Sequence, residues 1–432
     1  MHSLGTASSF GRDRTFSMMA GALAAFGAYF AMYAFRKPFA AATFADNTGW
    51  AFAIDYKTAL LIAQVIGYAL SKFIGIKVIA EFGRTGRALA ILTLIGISWI
   101  ALLLFALIPA PWNIACLFLN GLPLGMIWGF VFSYIEGRRA SEAMGAILCA
   151  SFILSSGVVK SVAVLVMGWG VSEYWMPAVT GLLFAPLLLV SLWMLEKLPP
   201  PDERDEAERT ARVPMLKKDR AAFLRTHGIA MALLVSGYVL LTAIRDFRDN
   251  FAAELWTAMG YGGVASVFSA SELPVAIFAL GALGMLMLIR DNMRALLAIH
   301  GIIFVGALLL GLSTLAFQMG LISPLPYMIL TGAGLYFAYT PFNAMLFDRM
   351  IAAIGHAGNA GFLIYIADSS GYAGSVALLL YRSLAAPSMD WLSFYIDCAY
   401  ATSVLLAILT ALSAIWFLLH VGRHHIRRTV PA

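Results

Sequence analysis

The sequence predicts an all-α membrane protein that crosses the bilayer twelve times as two six-helix halves. Charged residues make up 12% of the 432 residues and hydrophobic residues 61%, whereas soluble domains carry about a quarter charged residues. Residues 88–135 and 295–347 contain no Asp, Glu, Lys or Arg. A spanning helix needs roughly 20 apolar residues, so each of these blocks fits two helices and a short turn.

Apolar segments recur along the whole chain. They lie at residues 15–44, 57–80, 88–109, 112–136, 143–169, 173–195, 227–250, 262–289, 294–317, 324–348, 355–382 and 391–421. The first segment has no small-residue cleavage site and is predicted to be a retained helix. The sequence contains no P-loop, dinucleotide fingerprint, HExxH motif or nucleophile elbow. We therefore expect no enzyme activity, no cofactor and no metal site.

One strongly hydrophilic stretch divides these segments six and six. It opens with three prolines, runs acidic and turns basic at residues 217–220. We interpret residues 197–226 as a cytoplasmic linker between an N-terminal six-helix bundle, residues 1–196, and a C-terminal six-helix bundle, residues 227–432. The alternative for the end of the linker is a basic amphipathic surface helix.

The distribution of Lys and Arg predicts the orientation in the membrane. Most of them lie in segments that face the cytoplasm if both termini are cytoplasmic. We therefore expect a multi-pass protein of the cytoplasmic (inner) membrane, surrounded by lipid and monomeric. Topology alone accounts for the net charge of +6, so a nucleic-acid partner is not needed.

The two halves also share a motif. Segment five contains Ser155-Ser156-Gly157 followed by Ser161-Val162, and segment eleven contains Ser369-Ser370-Gly371 followed by Ser375-Val376, at a common offset of 214 residues. Twelve helices in two repeats of six is the layout of major facilitator transporters. Substrate sites of such transporters lie between the repeats near the bilayer midplane, so the sequence predicts two pseudo-symmetric bundles and a central site.

Several charged residues fall inside or at the edge of the apolar segments, where a charge costs about 2.5–3.5 kcal/mol. They are Arg36, Lys37, Lys72, Lys160, Arg245, Asp246, Arg248, Glu272 and Asp368. Such residues are expected to face a partner or an aqueous cavity. For Arg248 we prefer a plain charged helix end, whereas Arg245 lies deeper and is expected to turn inward.

Arg36 is the main candidate for anion binding. Tyr29 and Tyr33 lie seven and three residues earlier, on the same helical face, and Pro38 is expected to kink the helix just after Arg36. The arginine donors match a carboxylate or phosphate, although an interfacial anchor is the alternative.

Lys72, Lys160 and Arg245 are expected to add positive charge to this substrate site. For Lys72 the alternative is a side chain that reaches the membrane surface. Glu272 and Asp368 are the carboxylates expected to balance the cations or to carry a coupling proton, and structural ion pairs are the alternative for them and for Lys160.

A cytoplasmic gate is a further expectation from the basic turns of the first half. Its candidate residues are Glu81, Arg84, Arg87, Glu136 and Arg138. These opposite charges stand at the predicted inner ends of segments two to four, so they could pair when the inner side closes.

Five short motifs resemble those of the organophosphate:phosphate antiporters of the major facilitator superfamily. They lie at residues 33–37, 68–74, 125–128, 339–341 and 361–376. In that family arginines of helices 1 and 7 bind the phosphoryl group. Arg36 matches the first arginine, whereas Leu241 stands at the place of the second and Arg245 lies one turn further on.

Together these features predict a secondary active transporter that moves a small phosphorylated or carboxylated organic anion by alternating access. Coupling by protons and antiport against inorganic phosphate both remain open from the sequence. The alternative is a transporter-like membrane sensor that binds the solute without moving it.

Overall fold

The computed structural model describes residues 4–45, 50–81, 86–136, 141–199, 217–355 and 360–421. Within these ranges every regular element is helical. The helices of the first half are α1 Leu4–Tyr33, a 3-10 helix Pro38–Ala41, α2 Tyr56–Glu81, α3 Arg87–Leu107, α4 Ile114–Leu124, α5 Ile127–Ile135, α6 Ser141–Gly168 and α7 Met176–Glu196.

The second half repeats this arrangement of long helices. Its elements are α8 Lys217–Asn250, α9 Ala252–Ala258, α10 Ser266–Met287, α11 Asn292–Gln318, α12 Pro324–Ala344, α13 Leu346–Ile354, α14 Ala360–Ala385 and α15 Trp391–His420. Each predicted apolar segment thus contains one long helix or two consecutive helices. The last residues of the predicted linker, from Lys217 onward, already belong to α8.

Contacts divide the chain into two compact units. The first unit comprises Met1–Thr210 with Val264–Ser269, and the second comprises Ala211–Gly263 with Ala270–Ala432. In the first unit α1 packs against α6 and α7, and α2 packs against α4. In the second, α8 packs against α14 and α15, and α11 packs against α12.

The helices have the length and surface of membrane spans. Among the described residues, nine helices are long and apolar enough to cross a bilayer. Large apolar side chains are exposed along them, including Leu183, Leu187 and Val190 on α7. Apolar patches of this extent are rare on soluble monomers, and lipid is the environment that stabilises them. The chain is therefore a multi-pass membrane protein.

The first helix breaks earlier than the kink that the sequence predicted at Pro38. The α-helix ends at Tyr33, before Arg36, and the chain turns through 3-10-type hydrogen bonds such as that from the Arg36 N–H to the Tyr33 carbonyl at 3.0 Å. Pro38 explains the break because it lacks an N–H and its ring would clash with the carbonyl of Ala34. The break leaves carbonyl groups after Tyr33 without helical donors.

Close helix contacts in the first unit depend on glycine. A Cβ atom built on Gly121 of α4 would collide with the backbone carbonyl oxygen of Gln64 on α2. Likewise, a Cβ atom on Gly125 would lie 2.5 Å from the carbonyl oxygen of Tyr68. Small residues that let helix backbones touch are typical of membrane helix packing.

Replacing Gly121 by alanine is expected to destabilise the protein, because α2 and α4 must separate to admit the methyl group. Overpacking of this kind costs about 1–3 kcal/mol. The measurement is thermal unfolding of the full chain in detergent. Gly96→Ala in α3 is the matched control, since nothing lies within 4 Å of its added Cβ atom. Equal unfolding temperatures for the two variants would contradict the prediction.

Candidate functional site

Two side-chain amides hold the turn that carries Arg36. The Asn120 amide of α4 donates to the Phe35 carbonyl at 2.9 Å, and the Gln64 amide of α2 donates to the Arg36 carbonyl at 3.0 Å. Gln64 also donates to the Asn120 amide oxygen at 2.7 Å. Buried polar groups need such partners, so this network satisfies the backbone that the helix break exposes and fixes the position of Arg36.

Arg36 lies against an aromatic ring of α2. Its guanidinium carbon is 3.7 Å from the centre of the Tyr68 ring, and the arginine is buried. The Lys72 ammonium, one turn along α2, is 5.7 Å from the same centre. Tyr29 faces this ring, with the Tyr29 and Tyr68 hydroxyl oxygens 3.5 Å apart. Tyr33 packs edge-on against Tyr29, with ring centres 5.5 Å apart.

We call Tyr29, Tyr33, Arg36, Tyr68 and Lys72 the Arg36 cluster. The two cations are no more than about 10 Å apart, because both lie over one ring, and this is roughly one Debye length at 0.1 M salt. The cluster therefore combines aromatic surface with concentrated positive charge, and this combination suits an anion with planar oxygens.

The apolar segments of the first half hold more cations than carboxylates. Four of these cations are buried: Arg36, Lys37, Lys57 and Lys160. The acidic residues of the same segments, Glu136 and Glu173, lie only at segment ends. The interior of the first unit is therefore positively charged, which favours negatively charged ligands.

A second arginine lies over a tyrosine in the second unit. The Arg245 guanidinium carbon of α8 is 3.9 Å from the centre of the Tyr339 ring of α12. One of its nitrogen atoms, Nη2, lies 2.5 Å from Oδ1 of Asp246. The other oxygen of Asp246, Oδ2, accepts a hydrogen bond of 2.8 Å from Ser375 of α14. Arg245 therefore has an acidic neighbour that is bound at both of its oxygens.

Asp368 belongs to the same region through Tyr238. The Tyr238 hydroxyl donates to Asp368 of α14 at 2.5 Å and to the Tyr339 hydroxyl at 3.1 Å. Gly371 allows this approach of α14 to α8, since a Cβ atom there would lie 2.8 Å from the Thr242 hydroxyl. We call Tyr238, Arg245, Asp246, Tyr339, Asp368 and Ser375 the Arg245 cluster.

Arg248 is not the plain charged helix end that the sequence suggested. It does lie in the last turn of α8, but its side chain is only 3% exposed. Arg248 donates to Glu272 of α10 at 2.7 Å and to the Met328 carbonyl of α12 at 2.7 Å. The interpretation failed because α10 and α12 cover the helix end. Glu272 accordingly pairs with Arg248, and its role as a counter-charge or coupling carboxylate stays a prediction.

Two residues of the predicted gate, Arg87 and Glu136, have described side chains. Arg87 donates to the Ser133 carbonyl at 2.9 Å, and its guanidinium lies 5.6 Å from the Tyr134 ring. The Tyr134 hydroxyl in turn donates to Glu196 at the end of α7. Glu136 follows the last residue of α5 and is half-buried. Arg84, Arg138 and the side chain of Glu81 lie outside the described residues, so the gate stays a prediction.

The tyrosine beneath each arginine, Tyr68 for Arg36 and Tyr339 for Arg245, was not among the site residues predicted from the sequence. A signal was present, because both tyrosines lie in motifs that resemble those of the antiporter family. Leu241, at the place of the family's second arginine, is buried in the second unit. Gln64 and Asn120 were missed as well, since their contacts join different helices.

Comparisons with known proteins identify a family and a fold. The profile of a family described as "Family of unknown function (DUF5690)" matches residues 38–420. No curated protein matches the chain in sequence.

Solved transporter structures match almost the whole chain at low identity. A D-xylose-proton symporter matches with a TM-score of 0.61 and 12% identity, covering 94% of this chain and 98% of its own. A bacterial homologue of the human drug peptide transporters PepT1 and PepT2 matches with a TM-score of 0.62 and 13% identity, covering 95% and 99%. The nucleoside transporter NupG matches with a TM-score of 0.61 and 16% identity, covering 91% and 98%. At these identities the likeness shows a shared fold.

Proposed function

Because the chain belongs to the family of unknown function DUF5690 and has the major facilitator fold, we propose that it is a secondary active transporter of a small organic anion. The observation that carries this proposal is the Arg36 cluster, where two cations lie over the Tyr68 ring at 3.7 and 5.7 Å. An anion close to this ring is attracted by both charges at once.

The substrate class is a phosphorylated or carboxylated anion. An arginine supported on an aromatic face presents its edge donors to such a group in a fixed plane. The resemblance to organophosphate:phosphate antiporters favours phosphate through Arg36. Because Leu241 stands at the place of the family's second arginine, the resemblance at this second position does not favour phosphate over other oxyanions. The proposal therefore includes carboxylates.

The proposed transport cycle is alternating access in the cytoplasmic membrane. Two bundles, N-terminal and C-terminal, are joined by the linker and alternate in access. Both termini lie on the cytoplasmic side, and the distribution of Lys and Arg supports this orientation. The working unit is one copy of the chain. Transport is coupled to protons or to inorganic phosphate that moves in the opposite direction. The spans are apolar and carry few charges, so ions do not leak across the bilayer through them.

Uptake into proteoliposomes tests this proposal. The purified full chain is reconstituted and offered labelled glycerol 3-phosphate, inorganic phosphate, succinate and, as a neutral comparator, xylose. We expect uptake of at least one of the three anions well above protein-free liposomes and no uptake of xylose.

Counterflow separates the transporter from the sensor. Liposomes preloaded with the unlabelled anion are expected to accumulate the labelled anion transiently. Saturable binding of an anion without counterflow would identify a sensor instead, and transport of xylose alone would refute the anion assignment.

A further inference from the structure

The carboxylate of Asp246 binds two groups, the Arg245 guanidinium and the Ser375 hydroxyl, that could also bind an anionic ligand. Its Oδ1 lies 2.5 Å from the Arg245 guanidinium, and its Oδ2 accepts a hydrogen bond from Ser375 at 2.8 Å. A carboxylate held between an arginine and a hydroxyl is how proteins bind the oxyanion of a ligand. Asp246 therefore takes the place of such a ligand within the Arg245 cluster.

The rest of this site is already arranged. The Tyr339 ring, 3.9 Å from the guanidinium carbon, fixes the plane of Arg245, and Ser375 is held on α14. The Arg245 and Asp246 side chains are each 14% exposed. The neighbouring Arg248–Glu272 pair is less accessible, at 3% and 9%, and Arg248 is anchored to a backbone carbonyl as well.

We propose that Asp246 is an internal competitor for an oxyanion site formed by Arg245 and Ser375, and that a proton on Asp246 opens this site. The ligand class is a carboxylate, sulfate or phosphate group. This inference rests on the proposed transport of anions and deepens it, because it assigns the proton as the coupled ion. Proton and anion then bind together, each strengthening the binding of the other by the same factor.

The charge balance of this step is simple. A proton from water adds to one oxygen of the Asp246 carboxylate, which becomes a neutral acid and releases the guanidinium. Arg245 keeps its charge throughout, because arginine does not deprotonate in proteins. An oxygen of the anion then accepts from Arg245 and Ser375, so the site gains one proton and one anion.

Other titratable groups surround the site. They are Tyr238 on α8, Tyr336 and Tyr339 on α12, Asp368 on α14, and, one helical turn away, Arg248 with Glu272 of α10 and Tyr395 of α15. Asp368, which accepts a hydrogen bond from the Tyr238 hydroxyl, is the rival carboxylate for the coupled proton.

The experiment measures stabilisation of the full chain in detergent by sulfate, whose charge is constant over the pH range used. A ligand that binds the folded chain raises the unfolding temperature, and the rise grows with the ratio of the ligand concentration to its Kd. For the wild type we expect sulfate affinity to rise as the pH is lowered from about 7.5 to about 5.5, because sulfate binding is coupled to uptake of the proton by Asp246. For Asp246→Asn, which keeps an acceptor oxygen without the charge, we expect at least tenfold tighter sulfate binding than wild type at the higher pH, and no dependence on pH.

Controls distinguish this site from other cations. Adding Arg245→Ala to Asp246→Asn is expected to remove the gained sulfate binding, and Ser375→Ala to weaken it. Asp397→Asn removes an exposed carboxylate of α15 and is expected to behave as wild type. Wild-type sulfate affinity and pH dependence in Asp246→Asn would overturn the proposal. So would loss of the pH dependence in Asp368→Asn instead.

The outcome is separable from the proposed function. Sulfate stabilisation reports binding in the second unit and requires no transport. Arg245-dependent binding by Asp246→Asn would therefore support this site even if no anion in the uptake panel were transported. Conversely, anion uptake that depends on Arg36 would support the proposed transport function even if Asp246→Asn left sulfate binding unchanged.

Discussion

Replacing Arg36 by alanine is expected to lower anion uptake into proteoliposomes by roughly 100-fold. The change removes a guanidinium held over Tyr68 in a buried setting. Hydrogen bonds to charged groups contribute about 1.5–3 kcal/mol each, and each 1.4 kcal/mol is a factor of about ten in affinity. Loss of two such hydrogen bonds to an oxyanion therefore accounts for a decrease in uptake of roughly 100-fold. Arg36→Lys keeps the charge but not the paired donors, and we expect an intermediate loss.

The ring beneath the arginine gives a graded companion test. Tyr68→Phe keeps the aromatic face and is expected to transport nearly as well as wild type. Tyr68→Leu removes that face, and the lost cation–π contact, about 0.5–2 kcal/mol, lowers uptake by roughly two- to thirtyfold. Equal uptake by the two variants would contradict a role for the aromatic face.

Lys197→Gln provides a matched control for Arg36→Ala. Its ammonium also lies 3.7 Å from an aromatic ring, that of Trp193, but at the exposed end of α7. We expect unchanged uptake from this variant. Thermal unfolding of each variant shows whether the chain is still folded. Wild-type uptake by folded Arg36→Ala would remove Arg36 from the site.

Breaking the Arg248–Glu272 pair is expected to destabilise the second unit by about 3–5 kcal/mol, because it leaves one buried charge uncompensated. Glu272→Gln leaves Arg248 without its ion partner, and Arg248→Met leaves Glu272 without its ion partner and removes one of the donors to the Met328 carbonyl. The double variant is expected to be more stable than the sum of the two single losses predicts, since neither charge remains.

Thermal unfolding of the four proteins in this cycle measures the coupling. The Arg245–Asp246 pair serves as the comparison for the Arg248–Glu272 pair. Its side chains are more exposed, so we expect it to contribute less to the free energy of unfolding. If Glu272→Gln unfolded like wild type but transported without coupling to protons, Glu272 would be the coupling carboxylate. Its structural assignment would then be wrong.

The helical nature of the membrane spans could be predicted from the sequence. Hydrocarbon excludes unpaired backbone groups, so a run of apolar residues long enough to span must be helical regardless of its neighbours. The all-helical major facilitator fold predicted on this basis is confirmed. The end of α1 was misplaced by a few residues, because the effect of Pro38 on the preceding turn depends on the donors offered by Gln64 and Asn120.

The pairing of the charges could not be predicted in the same way. The sequence located Arg36, Arg245, Glu272 and Asp368 inside apolar segments, where any charge demands a partner or water. It did not identify those partners, since Glu272 meets Arg248 across 24 residues and Asp368 meets Tyr238 across 130. Contacts of this kind depend on which faces two helices turn toward each other.

The sequence by itself therefore determined that this protein is an all-helical, multi-pass membrane protein with cations in the apolar segments of its first half, because span length and charge cost act locally along the chain. Only the tertiary structure decided what these charged side chains contact. It placed Arg36 over Tyr68, paired Arg248 with Glu272 and joined Arg245 to Asp246, which also accepts from Ser375. The physical reason is that side-chain partners are chosen by the distance between helices, which no local pattern encodes.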